Sequence, residues 1–273
     1  MNRIGVMQGR LLPKFKGRYQ AHPLNYWQDE FEIAKKLGIG YIEFILDYEN
    51  VEINPLIREN GTEEILELVN STGVSVKTIC ADYFMKAPLH SQNTVKADLS
   101  ASILRKLLEN VSKMGVTDIV IPCVDESSLN TKESIDRFIK TLSPLLLKAE
   151  EYKINLSLET DLAPEPFLEL LSSFNSERLT VNYDVGNSAS MGFNLIDEFD
   201  SYGNLISDIH IKDRILGGES VELGKGNVDF ELFFKKLKEM NYKGPLVMQA
   251  YRDDEGLKMF EKQLNWVKKY LYE

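Results

Sequence analysis

A single (β/α)8 barrel of the α/β class is predicted by three features of this 273-residue chain. Short apolar runs alternate with amphipathic helical stretches from end to end. The runs number eight, the count of a closed parallel barrel. No linker or shift in composition divides residues 1–273, so the whole chain reads as one domain. A doubly wound open sheet is the rival. It usually has fewer strands, and its nucleotide-binding form carries a Gly-rich turn after the first one, whereas "MQGRLLP" (7–13) is not G-x-G-x-x-G.

In chain order the strand-like runs are "RIGVMQG" (3–9), "YIEFIL" (41–46), "VSVKTIC" (74–80) and "TDIVIPC" (117–123), then "INLSLE" (154–159), "LTVNYD" (179–184), "LISDIHI" (205–211) and "PLVMQAY" (245–251). Helical periodicity covers roughly 27–37, 62–72, 95–114, 131–152, 164–174, 229–240 and 256–272, with a short helix near 194–200. In "NGTEE" Thr62 is the expected N-cap, and "NTKE" gives a capping box from Thr131. Gly38, Gly73 and Gly115 follow helices as the residues that end them. "GKGN" (224–227) follows no strand and is no P-loop; it reads as the turn into the helix beginning at Asp229.

A hydrophobic share of 43% and a charged share of 27% supply an ordinary soluble core. The net charge of −10, with no basic stripe, opposes nucleic acid as a partner. The longest apolar runs are too short to cross a bilayer, so no membrane partner is expected. The opening "MNRIGVMQGR" lacks the apolar core of a signal peptide, and Cys80 and Cys123 make no disulfide framework. Both point to a cytoplasmic location, which leaves the sequons at "NGT" and "NST" as chance.

Side-chain alternation places the polar residues. Strand five puts Asn155, Ser157 and Glu159 on one face; strand six, Thr180, Asn182 and Asp184; strand seven, Asp208, His210 and Lys212; strand eight, Val247, Gln249 and Tyr251. Glu43 shares a face with Tyr41 and Ile45, and Gln8 ends the row Ile4–Val6. Gln8, Glu43, Glu159, Asp184, His210 and Gln249 are thus expected inside, toward the strand ends where barrels hold their active sites. Burying carboxylates beside an imidazole is costly unless they are paired, and a divalent cation reconciles them most cheaply. A lone inward histidine is more often a satisfied core residue; the joint pattern over consecutive strands favours the ligand reading. Cys80 and Cys123 read as small core residues. Arg10, Arg214, Lys225 and Arg252 fall in loops at the same end, where cations can clamp an anion.

The motifs "LSLET", "VNYDVGN", "DIHIKDR", "ELGKGNVDF" and "GPLVMQAY" resemble, in order and spacing, the second half of xylose isomerase-like TIM-barrel proteins, and "GVMQGRLLP" resembles strand one of their sugar phosphate isomerase/epimerase branch. The resemblance spans essentially the whole chain; H-x-K-D followed by L-G-x-G-x-x-D-F is its most specific part. It implies one divalent metal ion (Mn²⁺, Mg²⁺, Co²⁺ or Zn²⁺) held by Glu159, Asp184, His210 and a fourth residue, here Gln249 where the family has Glu. Asn187 stands where several sugar epimerases of the family have a second histidine near the substrate.

The implied activity is isomerisation or epimerisation of a small sugar or sugar phosphate through an enediolate. Glu159 is the base, Lys212 assists electrostatically, and Gln8, Arg10, Glu43, Asn187, Asp213, Arg214 and Arg252 are candidates around the substrate, with Asp213 orienting a neighbouring side chain. Gln249 brings no charge and shuttles no proton, which leaves a one-base isomerisation through Glu159 feasible. Metal-dependent dehydration of a keto-sugar or inosose is the alternative, and a barrel that binds a metabolite without turnover is the third reading. The resemblance also allows a homodimer.

Overall fold

A computed structural model of the chain describes residues 4–272. Eight parallel strands close into a barrel: β1 (Ile4–Met7), β2 (Tyr41–Ile45), β3 (Ser75–Cys80), β4 (Asp118–Cys123), β5 (Asn155–Thr160), β6 (Leu179–Asp184), β7 (Ile206–Ile211) and β10 (Leu246–Met248), which returns to β1. A separate antiparallel ribbon of β8 (Asp213–Arg214) and β9 (Ser220–Val221) follows β7. The helices are α1 (Asp29–Leu37), α2 (Gly61–Thr72), α3 (Tyr83–Lys86), α4 (Thr94–Val111), α5 (Lys132–Tyr152), α6 (Pro164–Ser172), α7 (Val185–Met191), α8 (Leu195–Tyr202), α9 (Phe230–Glu239) and α10 (Lys258–Tyr272). The predicted single (β/α)8 barrel is the fold.

The core is a shell. Ile42, Phe44, Ile119, Ile121, Leu156, Leu158, Ile209 and Ile211 point outward from the strands and pack against helix residues such as Phe31, Leu104, Phe138 and Phe233. Inside the barrel a much smaller apolar group, Met7, Tyr41, Ile45, Cys80 and Val247, leaves the rest of the lumen to polar side chains. At its lower end Asp118 accepts hydrogen bonds from Ser157 (3.0 Å) and Ser207 (2.5 Å).

Several expectations are corrected. Strand one runs only to Met7, and Met7 rather than Ile4 and Val6 faces the lumen, so Gln8 does not end an inward row. Strand eight stops at Met248, before Gln249 and Tyr251. Asn60, not Thr62, precedes α2, because the helix already begins at Gly61, where any side chain would meet the Pro55 carbonyl 2.1 Å away. The capping box at Thr131 is real, but Ser134 closes it: Thr131 Oγ1 accepts the Ser134 N–H and Ser134 Oγ accepts the Thr131 N–H, each at 3.1 Å. The segment expected to hold one short helix near 194–200 holds two, α7 and α8.

Candidate functional site

Strands β5, β6 and β7 end side by side, and each delivers one ionisable residue to the same point. Glu159, Asp184 and His210 are all buried, and one donor atom from each lies within 4.8 Å of the others. His210 Nδ1 is 4.0 Å from both Glu159 Oε2 and Asp184 Oδ2. All three are among the six inward residues that alternation selects from the sequence, and the family resemblance implies them as ligands. The register supports the placement, with Asp184 directly beside His210 in the sheet.

The opposite ring nitrogen fixes which lone pair His210 offers. Nε2 lies 2.7 Å from Glu43 Oε1, and Thr78 Oγ1 donates to Glu43 Oε2 at 2.5 Å. Glu43 is therefore the acceptor, Nε2 carries the proton, and Nδ1 presents a free lone pair toward Glu159 and Asp184. Burial pushes Glu43 up to about 7, while a hydrogen bond with Asp208 pulls the other way. Burial first, and then Glu43's charge, raises Asp208 well above its ordinary carboxyl value.

Glu159 and Asp184 are driven apart. Burial and then the charge of Asp184 push Glu159 up to about 7. Burial alone would raise Asp184 too, yet Lys212 and His210 hold it below its ordinary value. The Lys212 ammonium sits 2.7 Å from Asp184 Oδ2. It reaches there across Gly186, where a Cβ would meet the Lys212 backbone carbonyl at 2.9 Å. Asp184 also caps α7, its Oδ1 accepting the Asn187 N–H at 2.9 Å. That cap places Asn187 so that its Nδ2 donates to Glu159 Oε1 (2.6 Å) and its Oδ1 accepts from Arg214 Nη1 (2.8 Å).

These groups open into a cavity of about 450 Å³, lined by Glu159, Asn187, Lys212, Arg214 and Gln249 together with Gln20, Asp82 and Asp161. The last three escaped the sequence reading. Asp82 carried the better signal, lying two residues beyond β3 at the end of the barrel that holds the site.

Other predicted residues turn away. Gln8 Oε1 accepts from the Ile45 N–H (2.9 Å) and lies 3.3 Å from His22 Nδ1, tying strand β1 to β2 and to a core histidine. Glu43 stands behind His210 and does not line the cavity. Asp213 orients no neighbouring side chain; it accepts the N–H groups of Gly224 (2.9 Å), Gly226 (2.8 Å) and Val228 (3.2 Å) and so shapes the "GKGN" loop. Arg252 Nη1 donates to the Arg10 carbonyl and its guanidinium covers the Tyr19 ring, while Arg10 Nη2 donates to Gln20 at 3.3 Å; neither arginine lines the cavity. Lys225 is exposed and apart from it, so of the four proposed clamp cations only Arg214 faces it. His22, packed between Phe44 and Trp27, and His90, against Phe138, are core residues.

The donor set fits a divalent cation. Among the described residues, buried His210 Nδ1 and Gln249 Oε1 have no hydrogen-bond partner, and Asp184 Oδ2 has the Lys212 ammonium beside it. An imidazole nitrogen, two carboxylates and an amide oxygen are ligands such an ion accepts.

Comparison with known proteins identifies the family. The L-ribulose-5-phosphate 3-epimerase UlaE of Escherichia coli is 25% identical over 260 residues, covering 89% of this chain and 89% of that protein. The 3-keto-D-glucoside 4-epimerase YcjR of E. coli has the same fold, with a TM-score of 0.77 at 17% identity over 98% of this chain and 100% of that one. The IOLI protein, solved with a bound zinc atom, gives 0.74 at 17% identity over 98% and 96%. The pattern of one family is matched from residue 31 to residue 270, and the chain belongs to the xylose isomerase-like TIM barrel family.

Proposed function

We propose that the protein is a divalent-metal-dependent isomerase or epimerase of a small sugar or sugar phosphate, with Glu159 as its base. The observation that carries this reading is the buried trio Glu159, Asp184 and His210, converging within 4.8 Å, with Glu159 lining a cavity of sugar size. The similarity to UlaE, an L-ribulose-5-phosphate 3-epimerase, supports the substrate class.

Glu159, Asp184, His210 and Gln249 would hold the ion, which supplies polarisation of a sugar carbonyl and its neighbouring hydroxyl. Every other contribution comes from the chain. Glu159 removes the proton from the carbon beside the carbonyl, leaving an enediolate on the sugar. A carboxyl near 7 suits that task at neutral pH, being largely available as a base yet strong enough as an acid to return the proton. Asn187 Nδ2 donates to Glu159 Oε1 and so holds the carboxylate in orientation. Lys212 keeps Asp184 ionised and adds positive charge where negative charge develops. Arg214 fixes the Asn187 amide orientation and lines the same cavity, where it can meet a hydroxyl or a phosphate.

The test is metal content by mass spectrometry on untagged protein, with His210→Ala beside it, followed by assay of L-ribulose 5-phosphate and of unphosphorylated ketoses with Mn²⁺. Stoichiometric metal lost in the variant, with turnover of a ketose, is expected. No metal after reconstitution with Mn²⁺ or Zn²⁺ would refute the reading. Loss of water from the sugar instead of rearrangement would move the enzyme to the dehydratase class.

A further inference from the structure

Inverting a carbon requires a proton to leave one face and another to arrive at the opposite face, and one carboxylate cannot reach both. Glu159 can serve one face. Gln249 cannot serve the other, because an amide neither takes nor gives the proton. We infer that Asp82 is the second acid/base group of this site, so that the enzyme is a two-base epimerase. This rests on the proposed function.

Position comes first. Asp82 lies two residues beyond β3 and Glu159 next to the last residue of β5, two strands around the barrel, and those strands are about 10 Å apart. Both line the 450 Å³ cavity, which leaves a sugar carbon room between their carboxyl groups. The remaining carboxylates on that wall fit less well. Asp161 lies two residues from Glu159 and is tied to Ser128 Oγ at 2.7 Å, on Glu159's own side. Asp125 is exposed at the rim.

Orientation comes second, and here Gln249 has a part. Its Nε2 donates to Gln20 Oε1 at 2.7 Å, and Arg10 Nη2 donates to the same oxygen at 3.3 Å. Gln20 is thereby turned so that its own Nε2 donates to Asp82 Oδ2 at 3.2 Å. The Cys80 thiol donates to Oδ1 at 3.1 Å, so Asp82 is held at both oxygens. A glutamate at 249 has no N–H to give Gln20. The amide that departs from the family pattern is thus the first link in a chain that aims another carboxylate. Burial, the largest influence, raises the pKa of Asp82 above its ordinary value.

In the forward direction Glu159 takes the α-proton and the C–H electron pair becomes the enediolate. The Asp82 carboxyl then gives its proton to the opposite face of the same carbon. Exchange with water resets both groups, and no oxidant or reductant is consumed. From the other epimer the two residues trade roles.

The test uses each member of an epimer pair, L-ribulose and L-xylulose 5-phosphate or D-tagatose and D-sorbose, with the Mn²⁺-loaded enzyme in D2O. Nuclear magnetic resonance follows wash-in of deuterium and inversion separately. Asp82→Asn should lower inversion at least about 100-fold. It should keep deuterium wash-in from the epimer that Glu159 deprotonates and lose it from the other, and Glu159→Gln should show the mirror image. Melting temperature and metal content are measured on both variants, so that a folding defect is recognised; Asp82→Glu, which keeps a carboxyl, should then restore part of the inversion. Inversion by Asp82→Asn within about threefold of wild type would overturn the inference and leave Glu159 as sole base. Equal loss of wash-in from both epimers in a folded, metal-bound Asp82→Asn would overturn it too. A wild type that exchanges neither epimer refutes the parent reading instead, and that outcome needs no variant to recognise.

Discussion

Replacing Glu43 with glutamine separates metal binding from folding, because Glu43 touches His210 but not the cavity. The Glu43–His210 contact is 2.7 Å between two fully buried side chains, and it sets Nδ1 as the lone pair that faces Glu159 and Asp184. An amide oxygen still accepts that hydrogen bond, at roughly half the strength of a carboxylate. Losing such a brace typically costs about 10- to 100-fold in metal affinity, or about 1.4–2.7 kcal/mol. Folding should change by no more than about 1 kcal/mol, since burial already pushes Glu43 up to about 7 and an amide resembles its protonated form. Mn²⁺ titration by calorimetry near pH 8, paired with urea unfolding, reads both quantities. The affinity gap should narrow as pH falls through about 7, where the wild type protonates Glu43 as well. Wild-type Mn²⁺ affinity in a folded Glu43→Gln protein would show that Glu43 does not tune His210.

Two further outcomes test structural assignments. Burial lowers His22 from 6.5 to about 3, so below pH 6.5 the unfolded chain takes a proton that the folded one refuses. Its contribution to stability is therefore complete above 6.5 and falls with decreasing pH, by about 1.4 kcal/mol per unit down toward 3. Glu30, raised to about 7 by burial, pulls the opposite way, so the measurement is the difference between wild type and His22→Asn in urea at pH 7 and pH 5.5. Parallel pH profiles would mean that His22 titrates normally. Asp213→Ala should cost about 2–4 kcal/mol by freeing three backbone N–H groups of the loop at 224–228; a loss under about 1 kcal/mol in chemical denaturation would mean that water replaces them.

The site trio was legible because β5, β6 and the end of β7 alternate, with Leu156, Leu158, Val181 and Ile209 turned to the helices and Glu159, Asp184 and His210 turned inward. Strand β1 gave no such signal. All of "IGVM" is buried, both faces of a barrel strand being covered, and hydrophobicity cannot say which parity faces the lumen. Gly5 is the inward residue that could have decided it: a Cβ there would meet the Tyr41 ring at 2.0 Å, a contact visible only once β1 and β2 are paired. Register breaks hid more. One lies between Val181 and Asn182, where β7 spends an extra residue and Ser207 joins the inward bonds to Asp118. The loop cations were misplaced for a different reason. Nothing in residue type distinguishes Arg214, which reaches the cavity, from Arg252, which covers Tyr19 and holds the Arg10 carbonyl.

Gln249→Glu adds a negative metal donor and removes a hydrogen-bond donor together. The carboxylates and ammonium at the cation position are Glu159, Asp184 and Lys212, which together carry a charge of about −1 when Glu159 is ionised. A third carboxylate takes this toward −2 and should tighten Mn²⁺ binding by about tenfold or more, less in high salt. The same change leaves Gln20 Oε1 facing a carboxylate in place of the Nε2 donor 2.7 Å away, so Gln20 must rotate. Its amide oxygen then turns on Asp82, which loses the 3.2 Å bond at Oδ2. Tighter metal with slower inversion is therefore expected from Gln249→Glu, and replacing Gln20 with leucine should slow inversion without tightening metal. Faster inversion by Gln249→Glu, persisting when Asp82→Asn is added, would mean that the family's carboxylate at 249 is the better second base in this barrel and that Asp82 is not its substitute.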